Sequence, residues 1–139
     1  MPGQILLVSV DTLRADAIGC GGEHRLTPNL DRLAAEGESW ARHYAASHWT
    51  KPSHASLLTG YPALVHGALD RDSPTAPALL TVAERFTRAG WATGALVYDC
   101  GWLTPKHGFA RGFDDYRVRR WRIDKQVRAA VNWLTQHSG

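Results

Sequence analysis

A chain of 139 residues has room for one domain and one ordinary core. Hydrophobic residues at 44% and charged residues at 21% describe a globular chain and exclude a disordered one. The net charge of +3 gathers largely between Arg117 and Arg128, a local excess that argues against a nucleic-acid partner.

Two cysteines, Cys20 and Cys100, make no disulfide framework and no C-x-x-C pair, which fits a reduced compartment. No apolar run approaches the roughly 20 residues that a membrane span needs. The first residues also lack a charged segment, a long apolar segment and a small-residue cleavage site. The expectation is a cytoplasmic chain with no membrane partner.

In chain order, Ile5 to Val10 reads as a continuous apolar, β-rich run of the kind that forms a central parallel strand, closed by Asp11. Gly19, Gly21 and Gly22 form a loop whose spacing does not match a dinucleotide fingerprint. Thr27-Pro28 opens a helix with an N-cap hydroxyl and Pro at the first helical position, and Gly37 closes it. Leu30, Leu33 and Ala34 supply its apolar stripe. Ser39 to Ala46 is a weaker extended segment.

The stretch from Ser47 to Gly60, S-H-W-T-K-P-S-H-A-S-L-L-T-G, predicts a short helix. Pro52 stands in its first turn and Gly60 just past its last. Thr50 lies at its N-terminus, where backbone N–H groups and the helix dipole favour an anion. That hydroxyl is either a helix cap or an oxygen nucleophile beside an anion site.

Tyr61 to Pro77 is rich in Pro, Asp and Ser and reads as surface loop. Thr81 and Glu84 match a capping box, opening a helix through Phe86 that stops at Gly90. Trp91 to Tyr98 is a second strand, ending at Asp99. Gly101 to Gly112 is loop, which puts Lys106 and His107 at the surface, and Phe113 to Val118 is a short strand. From Arg122, the residues Ile123, Val127, Ala130, Val131 and Leu134 recur at helical spacing. Trp40, Trp49 and Trp91 are read as packing residues.

Strands alternating with helices of this length indicate an α/β fold around a mostly parallel sheet, with the loops after strand C-termini on one edge. Asp11 stands at such a position. Its carboxylate is a hard-oxygen ligand candidate, or it caps the turn through Thr12 and Leu13. Asp16 is expected to be solvated.

Several motifs stand in order: I-L-L-V-S-V-D-T-L-R-A-D, T-P-N-L-D-R-L-A-A-E-G, T-K-P-S-H-A-S-L-L-T-G-Y-P, H-G, G-W-A-T-G-A and H-G-F-A-R-G-F-D-D-Y. Together, from Ile5 to about Tyr116, they resemble the amino-terminal half of the sulfatase family, in the alkaline-phosphatase-like superfamily of metal-dependent phospho- and sulfohydrolases. The resemblance implies a three-layer α/β sandwich with a mostly parallel sheet, of which residues 1–139 are the N-terminal portion. It implies that Asp11 is the first metal-binding carboxylate and that Thr50 is the nucleophile of the C/S-x-P-S-R motif and a metal ligand. Thr12 takes the place of a second Asp that the family often carries. The implied cofactor is a divalent metal, Ca²⁺, Mg²⁺, Mn²⁺ or Zn²⁺.

The departures from the family pattern are specific. Thr cannot become the formylglycine of true sulfatases, because its β-carbon carries a methyl group and oxidation would give a ketone. Related phosphodiesterases, phosphonate hydrolases and phosphoglycerol transferases use Thr directly, so phosphoryl transfer stays open beside sulfate-ester cleavage. His54 stands where the family has an Arg clamp, and an imidazole donates fewer bonds than a guanidinium fork. Lys51 is a candidate to neutralise an anion at the helix start. The family's G-K-W-H segment is replaced by Val97, Tyr98, Asp99 and Cys100. His66 matches a position tied to fold.

Two readings follow. One is a metal-dependent hydrolase of small-molecule sulfate or phosphate esters, with Thr50, His54 and Lys51 catalytic and Asp11, Thr12 and Thr50 on the metal. Further ligands lie in the family's second half, so this piece is expected to be inactive alone. The other is a non-catalytic, degenerate or partner-binding fragment of the same fold, whose uncovered sheet would take a second copy or a complementary C-terminal chain.

Overall fold

The computed structural model describes residues 3–19 and 26–137. It divides into two compact units, one of Ile5–Tyr44 and one of Ala45–Gly139 together with Met1–Gln4. Cys20 and the rest of the predicted glycine loop, Gly21 and Gly22, lie outside the described residues.

The smaller unit departs from the predicted strand. Ile5 to Val10 carries no strand pairing, and its side chains are open, Ile5 at 63% and Val8 at 69% exposure. A buried parallel strand needs ladder partners at its edges and cover on its faces. The described residues of this unit contain no other strand, so the apolar run has nothing in its own unit to pair with. A turn at Asp11 and Thr12 and a 3₁₀ turn at Ala15–Ala17 follow. Asp16 accepts from Arg14 in an exposed ion pair.

Helix α1, Pro28–Glu36, begins with Pro at its first position and ends at Gly37, as predicted. Thr27 is at the cap position, but its hydroxyl makes no cap hydrogen bond. It accepts from the Gly19 N–H at 2.9 Å and donates to the Asp31 carboxylate at 3.1 Å. Leu30 and Leu33 of its apolar stripe remain exposed, and so does Trp40, at 71%, which corrects its reading as a packing residue.

The larger unit holds the core. Helix α2 spans Thr50–Thr59, and Gly60 ends it in the left-handed conformation (φ 77°) that a residue lacking Cβ adopts without strain. Helix α3, Ala63–His66, follows at once. Ala55, Ala68 and Phe109 are buried together, with Leu58, Leu103 and Tyr116 packed against them. His66, fully buried, ties the two helices: its Nδ1 accepts from the Ala68 N–H at 3.1 Å, which leaves Nε2 to donate to Ser56 Oγ at 3.0 Å.

Helix α4, Val82–Arg88, has the predicted capping box, with Thr81 Oγ1 accepting from Glu84 N–H at 3.1 Å and Glu84 Oε2 accepting from Thr81 N–H at 2.7 Å. Strands β1, Gly94–Tyr98, and β2, Asp115–Arg119, form a parallel pair in register from Gly94↔Asp115 to Tyr98↔Arg119. Parallel neighbours require a long crossover. Here it is the irregular segment 99–114, with a 3₁₀ turn at Pro105–His107.

Helix α5, Ile123–Gln136, lies along β1. Gly94 permits this approach, since a Cβ there would stand 2.5 Å from the Trp133 ring. Gln126 Nε2 and Trp121 Nε1 donate to the Leu96 and Val97 carbonyls of β1, at 2.9 and 3.0 Å. None of the described helices is long and apolar enough to cross a membrane. The described chain is therefore α/β with a two-stranded parallel sheet.

The H-G-F-A-R-G-F-D-D-Y stretch serves as framework. Phe109 enters the core, and Arg111 donates to the Pro77 and Leu79 carbonyls at 2.9 and 3.0 Å. The Asp114 carboxylate accepts from Thr93 N–H at 2.8 Å, just before β1, and Tyr116 donates to the Leu103 carbonyl at 3.0 Å. Each contact joins segments far apart in sequence. The motif thus holds the crossover in place.

Candidate active site

The N-terminus of α2 is built on an extended residue. Trp49 (φ −140°, ψ 162°) is the cap residue and makes no side-chain cap bond, so Thr50 is the first helical residue rather than the cap. The two roles open to Thr50 in the sequence therefore separate: its hydroxyl sits inside the first turn. Ser53 N–H donates to the Trp49 carbonyl at 3.3 Å, and Pro52 has no N–H.

Position 54 is one turn on from Thr50, so the two side chains share a helix face. His54 Nδ1 lies 2.8 Å from the Thr50 carbonyl oxygen. A carbonyl only accepts, so Nδ1 carries the proton and, in the neutral ring, the accepting lone pair is on Nε2. The imidazole is thereby fixed to the backbone of the candidate nucleophile. Both residues are half-buried.

Lys51 does not face an incoming anion as expected. It is fully buried, and its ammonium donates to the Asp70 and Arg71 carbonyls at 2.8 and 3.2 Å. Burial pushes its pKa down, against the opposing pull of Asp70 and Asp72. Lys51 thus anchors the loop after α3 to the start of α2. The loop is further tightened by Asp70, whose Oδ1 accepts from Asp72 and Ser73 N–H and whose Oδ2 accepts from Ser73 Oγ. Those bonds, Ser73 first, hold the Asp70 carboxyl below its ordinary pKa.

A cleft of about 360 Å³ adjoins this end of α2, lined by His48, Trp49, Asp70, Arg71 and Trp102. Trp49 and Trp102 meet edge to face at 5.5 Å and 89°, and the Arg71 guanidinium lies 5.6 Å from the Trp102 ring centre. Sequence reasoning passed over Trp102 and Arg71, because the loops that carry them, around positions 71 and 102, are brought together only by folding. The nearest sequence signal was Trp49 directly before Thr50.

His107, expected at the surface, is buried at 5% exposure. Its Nδ1 engages the Trp102 carbonyl at 2.9 Å and Thr104 Oγ1 at 3.1 Å. Lys106 is exposed and pairs with Asp72 at 3.7 Å. Neither belongs to the α2 site.

Asp11 and Thr12 lie in the Ile5–Tyr44 unit and Thr50 in the other. Asp11 is exposed, and Thr12 has φ 58°, the only positive φ at a non-glycine among the described residues. A β-branched residue there is unusual and marks a tightly specified turn. Among the described residues no three His, Cys, Asp or Glu side chains converge as a metal centre would require. A hard cation takes about six oxygen ligands. Within either unit the described residues fall short of that shell, so neither fits a complete site by itself.

Residues 4–132 match the Sulfatase family. The chain belongs to the sulfatase family. Among curated sulfatases it is similar to arylsulfatase G of Canis lupus familiaris, 34% identical over 121 residues, covering 83% of this chain and 23% of the relative. It is similar to an arylsulfatase of Clostridium perfringens, 36% identical over 95 residues, covering 67% and 20%. It is also similar to the steryl-sulfatase of Mus musculus, 36% identical over 134 residues, covering 83% and 22%. The chain thus spans under a quarter of the length of these sulfatases. No solved structure matches it.

Proposed function

We propose that residues 1–139 form the nucleophile-bearing portion of an ester hydrolase of the sulfatase family, within an alkaline-phosphatase-like three-layer sandwich, with Thr50 as the attacking group. The observation that carries this reading is Thr50 as the first residue of α2, with His54 fixed to its carbonyl one turn on. Membership of the sulfatase family supports sulfate-ester cleavage as the class of chemistry. Threonine, which cannot be oxidised to formylglycine, favours direct attack by the hydroxyl and extends the substrate class to phosphate esters.

In the first step Thr50 Oγ bonds to sulfur or phosphorus as the ester oxygen leaves in line. The hydroxyl proton passes to a base, for which the Nε2 side of His54 is the candidate, and the leaving alcohol takes up a proton. Water then attacks the Thr50 ester, releasing sulfate or phosphate and restoring the hydroxyl. Lys51 keeps the Asp70–Ser73 loop against the helix start and adds positive field. Asp11 and Thr12 are the donors this chain would lend to the divalent cation the family uses; the rest of that shell would come from outside the described residues.

The test is turnover of aryl sulfate, aryl phosphate and phosphodiester substrates with Mg²⁺, Ca²⁺, Mn²⁺ or Zn²⁺ by this chain joined to a segment that completes the cation's ligands, beside the same protein with Thr50→Ala. Loss of turnover by two orders of magnitude or more is expected, and activity unchanged in Thr50→Ala would sink the nucleophile assignment. A second, non-catalytic reading is favoured by the exposed apolar face of α5, Ile123 at 74%, Val127 at 53% and Val131 at 55%. It predicts no turnover with any metal in either protein.

A further inference from the structure

Strand β2 has one edge in use and one open. Asp115 N–H donates to the Thr93 carbonyl at 3.2 Å, and the Arg119 carbonyl accepts from Asp99 N–H at 2.9 Å. The odd-numbered residues of β2 thus turn their main chain toward β1. By alternation, the N–H and C=O groups of Tyr116 and Val118 point away from it. Among the described residues no hydrogen bond reaches these main-chain groups, and no helix lies along β2. The outer edge of β1 is guarded instead: Gln126 Nε2 caps the Leu96 carbonyl, and the Tyr98 carbonyl accepts from Cys100 N–H at 2.9 Å. Main-chain groups left open at an edge are a template for another strand.

The side chains of β2 decide which strand fits. Asp115, Arg117 and Arg119 share one face of the sheet, with Arg117 and Arg119 exposed. A second copy related by a two-fold axis through the sheet meets β2 antiparallel. An axis at Arg117 would set that guanidinium against its own counterpart. An axis at Val118 would set Arg117 against Arg119 of the other copy, and like charges directly opposite repel. An axis at Tyr116 does the reverse. Asp115 then faces Arg117 of the other copy, and Arg117 faces its Asp115, at positions whose Cα atoms approach to about 4.5 Å. Within one chain Asp115 already accepts from Arg117 Nε at 2.9 Å. Pairs along and across the strands therefore close into a ring of alternating charges, which holds better than an isolated surface pair. In the same register the N–H and C=O of Tyr116 bond those of its counterpart.

We infer that the outer edge of β2 is a self-association surface, where two copies of this chain pair antiparallel about Tyr116 into one continuous sheet. A second copy is the occupant because the charge sequence of β2 is complementary to itself about that residue. Thr50 plays no part in it.

Sedimentation equilibrium over a concentration series is expected to show the mass rise from one chain to two. Asp115→Arg and Arg117→Asp, each of which sets like charges face to face, should weaken the dimer at least tenfold. An equimolar mixture of the two variants should recover it. In the mixed dimer every cross-strand pair is again of opposite sign, although neither chain keeps its own Asp115–Arg117 bond. Tyr116 N–H should exchange more slowly as concentration rises, while Leu96 N–H, on the outer edge of β1, should not respond. A single chain at every concentration, a dimer unaffected by both single substitutions, or a mixture that stays monomeric would overturn the inference. Should a variant not fold by circular dichroism, Tyr116 exchange in the parent carries the test, and exchange independent of concentration overturns the inference equally.

Discussion

Lys51 offers the sharpest separation between a structural and a chemical role. Lys51→Met keeps the length of the stem and removes the ammonium that bonds the Asp70 and Arg71 carbonyls. Hydrogen bonds from a charged donor contribute about 1.5–3 kcal/mol each, the lower end applying where the acceptors, as here, belong to exposed residues that water can reach. Against this stands the desolvation of a fully buried cation, visible in its lowered pKa, which methionine does not incur. The net loss comes to about 2 kcal/mol. With an unfolding entropy near 2.1 cal/mol/K per residue, that lowers the Tm by about 7 °C in a chain of 139 residues. Thermal unfolding followed by circular dichroism measures it, and amide exchange at Asp72 and Ser73 should quicken as the loop loosens. A Tm within about 2 °C of the parent, combined with lost turnover, would refute the anchoring argument and return Lys51 to a direct role on the ester.

His66 makes stability pH-dependent. Burial lowers its folded pKa below the ordinary value near 6.5, so the neutral ring's stability is fully present above pH 6.5 and is lost as pH falls through the folded value. Urea titrations below pH 6.5 should show this slope, and His66→Gln should flatten it. Gly112→Ala should cost about 3 kcal/mol, read from the urea midpoint, because φ is 81° and the new Cβ would stand 2.2 Å from the Glu84 backbone nitrogen. Thr81→Ala should cost about 1–2 kcal/mol in the same assay by removing the cap of α4, and Thr81→Ser should restore most of it.

Local chemistry was legible in the chain before any fold was drawn. Pro28 and Gly37 bound α1, Gly60 ends α2, Thr81 and Glu84 form the capping box, and both strands of the sheet fall inside their predicted stretches or within a residue of them. These features depend on contacts within four residues or on alternation along one strand, which is information a linear sequence contains. The ordered motifs that mark the sulfatase family were equally open to reading.

Other features depended on partners distant in the chain. Ile5 to Val10 has the composition of a buried strand, but a strand exists only through its neighbours, and its own unit supplies none among the described residues. Lys51 reads as a surface cation until the Asp70 and Arg71 carbonyls come within reach of its ammonium. His107 reads as loop until the crossover folds over it, and Trp102 gains its meaning only beside Trp49 and Arg71. The sequence alone determined the helix ends, the two strand segments, the family and the residue type offered as nucleophile, because each is encoded in local pattern. Tertiary structure alone decided which charges are buried and which rings share a cleft, because burial and long-range contact arise from the whole fold.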